Sequence, residues 1–85
     1  DGNLHPTFSV EPDDGDDPLG RLHRAVESSV RIALEMGGTI TGEHGVGLIK
    51  KDWLPWEQSA DVLELQRSIK GLLDPLNILN PGKGI

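Results

Sequence analysis

The sequence predicts an α+β fold, as a mostly helical fragment with two main helices and one or two short strands. Apolar residues recur at helical spacing over residues 18–37 and again over residues 59–74, and part of residues 1–11 alternates between apolar and polar side chains. Hydrophobic residues make up 35% of the 85 residues and 11 more are glycines, a composition typical of one ordered globular unit.

The first predicted element is a strand within residues 1–11, with a histidine near its start. Leu4, Phe8 and Val10 provide the partial apolar alternation, and an Asp-Gly pair and Pro12 bound the stretch on its two sides. The strand would therefore be short and would carry His5 at its N-terminal end.

An acidic loop is predicted over residues 12–17. Six acidic residues precede the first basic one, whereas residues 18–85 hold eight acidic and eight basic residues, so the net charge of −6 is local. Because nucleic-acid binding needs a basic face, a DNA- or RNA-binding role is excluded. An EF-hand calcium loop is excluded too, since the position that must be glycine would be Pro18 or Asp16.

The first main helix is predicted over residues 18–37. Asp17 is the expected N-cap, and Pro18 takes the first helical position, where its missing N–H costs nothing. Gly37 and Gly38 are expected to end the helix, because glycine accepts the left-handed conformation found after a helix. The apolar positions at helical spacing are Leu19, Leu22, Val26, Val30, Ala33 and Gly37, widened by Ala25, Ile32 and Met36.

A glycine-rich loop is predicted over residues 38–47. It starts with a short extended piece, in which threonines flank Ile40. Its glycines follow the order GxxGxG rather than GxGxxG, so the loop does not predict a dinucleotide site. Residues 50–56 are expected to be irregular or a single helical turn, because Pro55 interrupts them, and their two tryptophans indicate a packed patch.

The second main helix is predicted over residues 59–74, with Ser59 as its N-cap and an end near Leu73 imposed by Pro75. Its apolar stripe consists of Val62, Leu65, Ile69, Leu72 and Leu76. The tail over residues 75–85 is apolar but interrupted by Pro81 and two glycines, so it should be ordered only by packing onto something else.

Absent features exclude several classes of protein. There is no cysteine, which excludes a disulfide scaffold and a cysteine-based zinc finger. No apolar run approaches the roughly 18–20 residues of a membrane span, and no signal peptide begins the chain, so a cytoplasmic protein without a transmembrane segment is expected. The chain lacks an initiator methionine, which indicates a start after processing or within a longer protein.

Three side chains are candidates for chemistry on residue type alone. His5 and Glu43 offer a nitrogen and an oxygen ligand suited to zinc or manganese, but two ligands do not complete a metal site. His44 follows Glu43 directly between two glycines, so the pair could serve different tasks, Glu43 toward a metal and His44 toward a substrate proton. His23 lies in the predicted first helix and is interpreted as a surface residue.

Three ordered motifs give the chain a family resemblance. They are Asp-Gly-Asn-Leu-His at residues 1–5, Gly-Thr-Ile-Thr-Gly-Glu-His-Gly-Val-Gly at residues 38–47, and Asp-Pro-Leu-Asn-Ile-Leu-Asn-Pro-Gly-Lys at residues 74–83. Together they resemble the C-terminal part of the cap domain of FAD-linked oxidases, a family that includes D-lactate dehydrogenase, D-2-hydroxyglutarate dehydrogenase and the glycolate oxidase flavoprotein subunit. The resemblance covers essentially the whole chain.

The resemblance implies a flavoenzyme of the vanillyl-alcohol-oxidase type, with FAD held mainly by an N-terminal domain. It implies that His5 and Glu43 bind a divalent metal and that His44 is the catalytic base. A further metal-binding histidine of the family would lie seven residues before His5, ahead of Asp1. A weaker implication is that Asn80 lies on the cofactor side.

The resemblance also implies a function and partners. The parent enzyme would oxidise a small 2-hydroxy acid to a 2-keto acid, and Pro6-Thr7 is closer to the glycolate and lactate members than to the hydroxyglutarate members. The 85-residue fragment is expected to be inactive without the rest of the parent flavoenzyme and to self-associate through apolar surface. The alternative is a free-standing small helical interaction or metal-binding module.

Overall fold

The structure is a computed structural model that describes residues 1–13 and 15–85. Two long helices are joined by a compact linker. Helix α1 spans Pro18–Glu35, a 3-10 turn spans Lys51–Trp53, helix α2 spans Leu54–Glu57 and helix α3 spans Ala60–Leu73. The acidic loop predicted over residues 12–17 includes Asp14, which lies outside the described residues.

The predicted α+β class is wrong for this chain, because none of the residues in 1–13 and 15–85 belongs to a strand. A strand requires a neighbour to pair its backbone N–H and C=O groups, and a sequence pattern cannot supply that neighbour. Within residues 1–11, Leu4 is 81% exposed, so the alternating side chains do not face a core. The extended piece predicted around Ile40 is likewise not a strand in this part of the chain.

Helix α1 begins as its capping residues predict. The side chain of Asp17 accepts a hydrogen bond from the backbone N–H of Gly20 at 3.2 Å, and proline occupies the first turn. The helix ends at Glu35, two residues before the predicted end, and Met36 is its C-cap. Gly37 has a φ of 82°, the left-handed conformation that terminates helices.

The core of the chain is small and lies where the linker meets the two long helices. Its four buried hydrophobic residues are Ile40, Trp53, Leu54 and Leu63. Trp53 stacks on Trp56 with 6.0 Å between ring centroids, and the Arg31 guanidinium of α1 lies 3.6 Å from the centroid of Trp56. Since a fully buried side chain of this size contributes roughly 1.5–3 kcal/mol, four of them give a thin margin.

Helix α3 turns most of its apolar stripe outward. Ser59 caps the helix by accepting from the backbone N–H of Val62 at 3.3 Å. Leu63 faces the core, whereas the five stripe residues are all exposed in the described chain: Val62, Leu65, Ile69, Leu72 and Leu76. The periodicity is thus real, but the surface that would cover it is not supplied by these 85 residues.

The tail after α3 is held at both ends. Near α3, the buried Asp74 carboxylate accepts from the backbone N–H groups of Ile78 and Leu79, both at 3.0 Å. At the far end, the Gly84 N–H donates to the Gly47 carbonyl at 2.8 Å. The Lys51 ammonium donates to the carbonyl of Gly82 at 3.0 Å, so the tail lies against the end of the glycine-rich loop.

Candidate metal centre

Three side chains from two distant parts of the sequence meet at one point. Nε2 of His5 lies 2.8 Å from Oε1 of Glu43 and 3.0 Å from Nε2 of His44. Nε2 of His44 lies 3.7 Å from the same Glu43 oxygen. The three side chains are 64%, 52% and 67% exposed in that order, so the cluster opens to solvent.

The loop that carries Glu43 and His44 is fixed before and across its tip. Ile40, at its start, is buried in the core. The Glu57 carboxylate at the end of α2 accepts from the Thr39 hydroxyl at 2.6 Å and from the Ile40 N–H at 3.0 Å. The Thr41 hydroxyl donates to the Gly45 carbonyl at 3.1 Å and closes the turn, in which Gly45 has a φ of 76°.

The segment that carries His5 lies close against this loop. The side chain of Asn3 occupies the space that a Cβ atom on residue 42 would need, and Gly42 leaves that space free. The absence of a side chain at this glycine therefore lets residues 1–5 approach the loop and brings His5 to the cluster.

The donor set and its spacing fit a small divalent cation. Two imidazole nitrogens and one carboxylate oxygen suit zinc or manganese, and the three ligand atoms all lie within 4.8 Å of one another. Ligand atoms around a tetrahedral zinc ion lie roughly 3.3 Å apart, close to the three observed separations. Two Nε2 atoms at 3.0 Å repel unless one carries a proton or both face a shared cation.

Comparison with known proteins identifies the family. Residues 1–84 match the family described as FAD linked oxidases, C-terminal domain. The chain belongs to this family. No solved structure matches the chain.

Relatives within the FAD-linked oxidases carry three different names. The chain is 42% identical over 83 residues to glycolate oxidase subunit GlcD of Bacillus subtilis, covering 98% of this chain and 17% of the relative. It is 43% identical over 83 residues to a probable mitochondrial D-lactate dehydrogenase of Danio rerio, covering 98% of this chain and 16% of the relative. It is 35% identical over 85 residues to D-2-hydroxyglutarate dehydrogenase of Stutzerimonas stutzeri, covering 98% of this chain and 18% of the relative.

The chain thus spans about one sixth of the length of these curated relatives. None of the helices among residues 1–13 and 15–85 is both long and apolar enough to cross a membrane.

The structure brings together the two predicted metal ligands and the predicted base of this FAD-linked oxidase domain. Glu43 and His44 point to one place, since both lie beside His5 Nε2. Asn80 lies on the tail in the left-handed conformation, with a φ of 50°, and its carbonyl accepts from the Lys83 N–H at 3.4 Å. His23 lies on α1 beside Glu27, at 3.3 Å, and belongs to no part of the cluster.

Sequence reasoning missed two residues that shape the site. Glu57 lies outside the three motifs, and Asn3 lies within the first motif without being distinguished there from its neighbours. The partners of both residues lie 17 residues or more away. The signal for Asn3 was available in part, because a glycine in a predicted loop indicates close backbone approach to another segment.

Proposed function

We propose that this chain is the metal- and base-bearing part of an FAD-dependent 2-hydroxy acid dehydrogenase or oxidase of the glycolate or D-lactate type. Membership of the FAD-linked oxidases supports the proposal, and so do the names of the relatives. The observation that carries it is the meeting of His5, Glu43 and His44, which supplies two imidazole nitrogens and a carboxylate at one solvent-accessible point.

In this proposal His5 and Glu43 hold a divalent metal, zinc or manganese, and the rest of the parent holds most of the FAD. When bound, these groups polarise the substrate hydroxyl and accept a hydride, respectively. Neutral His44 takes the hydroxyl proton at Nε2, and the Glu43 carboxylate 3.7 Å away stabilises the resulting imidazolium. Asn80 is proposed to face the cofactor side of the parent.

Activity of the intact parent tests the role of His44. His44→Ala should lower kcat by about 100-fold or more, as loss of a general base does, while His23→Ala serves as the matched control. Activity that persists in His44→Ala would overturn the base assignment. The isolated chain should reduce no dye with glycolate or D-lactate, and dye reduction by it would overturn its dependence on the parent.

The substrate class is proposed from a local difference and from the relatives. Pro6-Thr7 follows the histidine that ends the first motif. One relative named for glycolate and one named for D-lactate are 42% and 43% identical to the chain, against 35% and 38% for two named for D-2-hydroxyglutarate. A parent enzyme whose kcat/KM for D-2-hydroxyglutarate exceeds those for glycolate and D-lactate would contradict this choice.

Self-association of the isolated chain is proposed from the stripe on α3. Leu65 and Leu72 are 61% and 79% exposed, so two copies could cover one another's apolar surface. Sedimentation should detect dimers or larger species, and a double substitution of these leucines by glutamate should return the chain to monomer. A strictly monomeric wild-type profile at high concentration would contradict the proposal. A cytoplasmic location remains a prediction, because three relatives are named as mitochondrial.

A further inference from the structure

Glu57 links the core of the molecule to the loop that bears two of the three cluster residues. It is the last residue of α2, whose first residue, Leu54, is buried at 6% exposure. Both oxygens of its carboxylate are used, one by the Thr39 hydroxyl and the other by the Ile40 N–H. Two hydrogen bonds from one carboxylate to adjacent residues fix both the orientation of the peptide group between those residues and its distance from the carboxylate.

The loop needs such an anchor because the bond from the Thr41 hydroxyl to the Gly45 carbonyl closes its tip without tying the tip to the core. Glu43 and His44 are more than half exposed, and glycines stand on both sides of the pair. An exposed glycine-flanked loop samples many backbone conformations, and each one moves Glu43 and His44 relative to His5. Glu57 acts three residues before Glu43, where a small rotation of the backbone would be carried directly to the ligand atoms.

We infer that Glu57 is a positioning residue for the metal centre, which sets where Glu43 and His44 meet His5 without touching the ion. The inference rests on the proposed function, since it assigns Glu57 a role at that same site. Outer-shell partners that orient ligands typically change metal affinity by about 10- to 100-fold when removed. Because Glu57 acts through backbone rather than on a ligand side chain, the lower end of that range is expected.

Titration of the full chain with zinc in an isothermal calorimeter tests the inference in three variants. Glu57→Leu removes both bonds and should weaken zinc binding about tenfold. Glu57→Gln should bind almost as tightly as wild type, because the amide oxygen can accept from the Ile40 N–H while the amide nitrogen donates to the Thr39 hydroxyl. Thr39→Val removes one of the two hydrogen bonds, and its zinc affinity should lie between those of Glu57→Leu and Glu57→Gln. Glu64→Leu, at an exposed position of α3, is the matched control and should bind as wild type.

The pattern across the variants separates positioning from other roles. Glu57→Leu that remains helical by circular dichroism and binds zinc like wild type would overturn the inference. A Glu57→Gln loss as large as that of Glu57→Leu would also overturn it, because the carboxylate charge would then matter and the hydrogen bonds would not. If Glu57→Leu does not fold, Thr39→Val decides: weaker zinc binding in a folded variant supports the inference, and unchanged binding refutes it.

A second readout keeps the inference distinct from the proposed function. Amide chemical shifts in metal-free protein should change over residues 39–45 in Glu57→Leu and stay close to wild type in Glu57→Gln. If the wild-type chain binds no zinc, the proposed metal centre fails, and these shifts still decide whether Glu57 sets the loop. Shifts that leave residues 42–45 unchanged in Glu57→Leu would refute the positioning role on their own.

Discussion

The cluster of His5, Glu43 and His44 and the cluster around Asp74 are both points where several polar groups meet, yet they are built in opposite ways. Asp74 is buried at 7% exposure, and the groups that contact its carboxylate come from Lys70, Ile78 and Leu79, within five residues in sequence. The other cluster is open to solvent and joins residues up to 39 positions apart.

The difference indicates what each cluster is for. The carboxylate of Asp74 satisfies the backbone N–H groups of Ile78 and Leu79 in the turn after α3, so its contacts serve the fold. The exposed cluster satisfies no buried group, and water could replace each of its contacts at little cost to stability. Its long-range convergence is therefore the feature that calls for a functional explanation, and substitutions in the two clusters should affect different measurements.

The largest effect is expected from removing a ligand. His5→Ala should weaken zinc binding by more than about 100-fold, beyond the range typical of outer-shell partners, because Glu43 would then be the one assigned ligand left at the cluster. The midpoint of thermal unfolding without metal should change little, since His5 is exposed. Isothermal titration measures the first quantity and circular dichroism the second. His23→Ala, which removes the histidine on α1, should leave zinc affinity and the unfolding midpoint unchanged. An equal loss of zinc affinity in His5→Ala and His23→Ala would contradict the assignment of His5 as a ligand.

A smaller effect is expected from moving the His5 segment without altering any ligand. Gly42→Ala places a Cβ atom in the space held by the Asn3 side chain, so residues 1–5 must shift and zinc affinity should fall about tenfold. The double variant with Asn3→Ala relieves the overlap and should regain most of the loss, which a zinc titration of all four proteins would detect. Additive losses in the double variant would show that the contact between the two residues is not the cause.

Strong acid should weaken the Asp74 cluster. The hydrogen bond from Lys70 lowers the pKa of Asp74, and the Leu79 and Ile78 N–H groups lower it further, against the opposing effect of burial. Because the folded pKa is below the unfolded value of about 3.9, the ionised carboxylate stabilises the fold above that pH, and the contribution is lost as pH falls through the folded pKa. Proteolysis of the tail should accelerate below about pH 4.

The matched variant for this acid response is Asp74→Asn. It cannot be ionised, so its tail should be cleaved faster than wild type at neutral pH and should show a weaker change on acidification. An identical acid response in Asp74→Asn and wild type would assign the effect to other carboxylates.

The smallest effect is expected far from both clusters. Gly71 lies inside α3, and a Cβ atom there would meet nothing within 4 Å. Gly71→Ala should raise the free energy of unfolding by roughly 0.5–1 kcal/mol, because glycine costs that much in a helix interior. Chemical denaturation measures this change, and zinc affinity should stay at the wild-type value. Destabilisation by Gly71→Ala would contradict the described surroundings of this residue.

Local features of the fold were predictable from the sequence, and long-range ones were not. Asp17 and Ser59 were predicted as N-caps and are confirmed, because a cap depends only on the residues of the following turn. The strands were wrong, because a strand depends on a partner elsewhere in the chain. The exposed stripe on α3 also depends on a distant partner. Periodicity predicts that one face of the helix is apolar, but it does not predict which surface covers that face.

The candidate site divides in the same way. Residue types singled out His5, Glu43 and His44, but nothing in their spacing predicted that their ligand atoms would converge. Glu57 was missed because its bonds reach back 17 residues. Asp74 could have been recognised in part, because an aspartate before proline just after a helix is typical of a local turn.

The sequence separation between His5 and Glu43 has a mechanical consequence. An ion held by both would close a loop of the chain that contains all of α1, and so would act as a reversible cross-link in a protein without cysteines. Closing a ring of this length in the unfolded chain is entropically costly, so the ion would bind the folded form preferentially and raise its stability by RT ln(1 + [M]/Kd). The concentration of metal would then set the thermal stability of the chain, in addition to whether its parent turns over substrate.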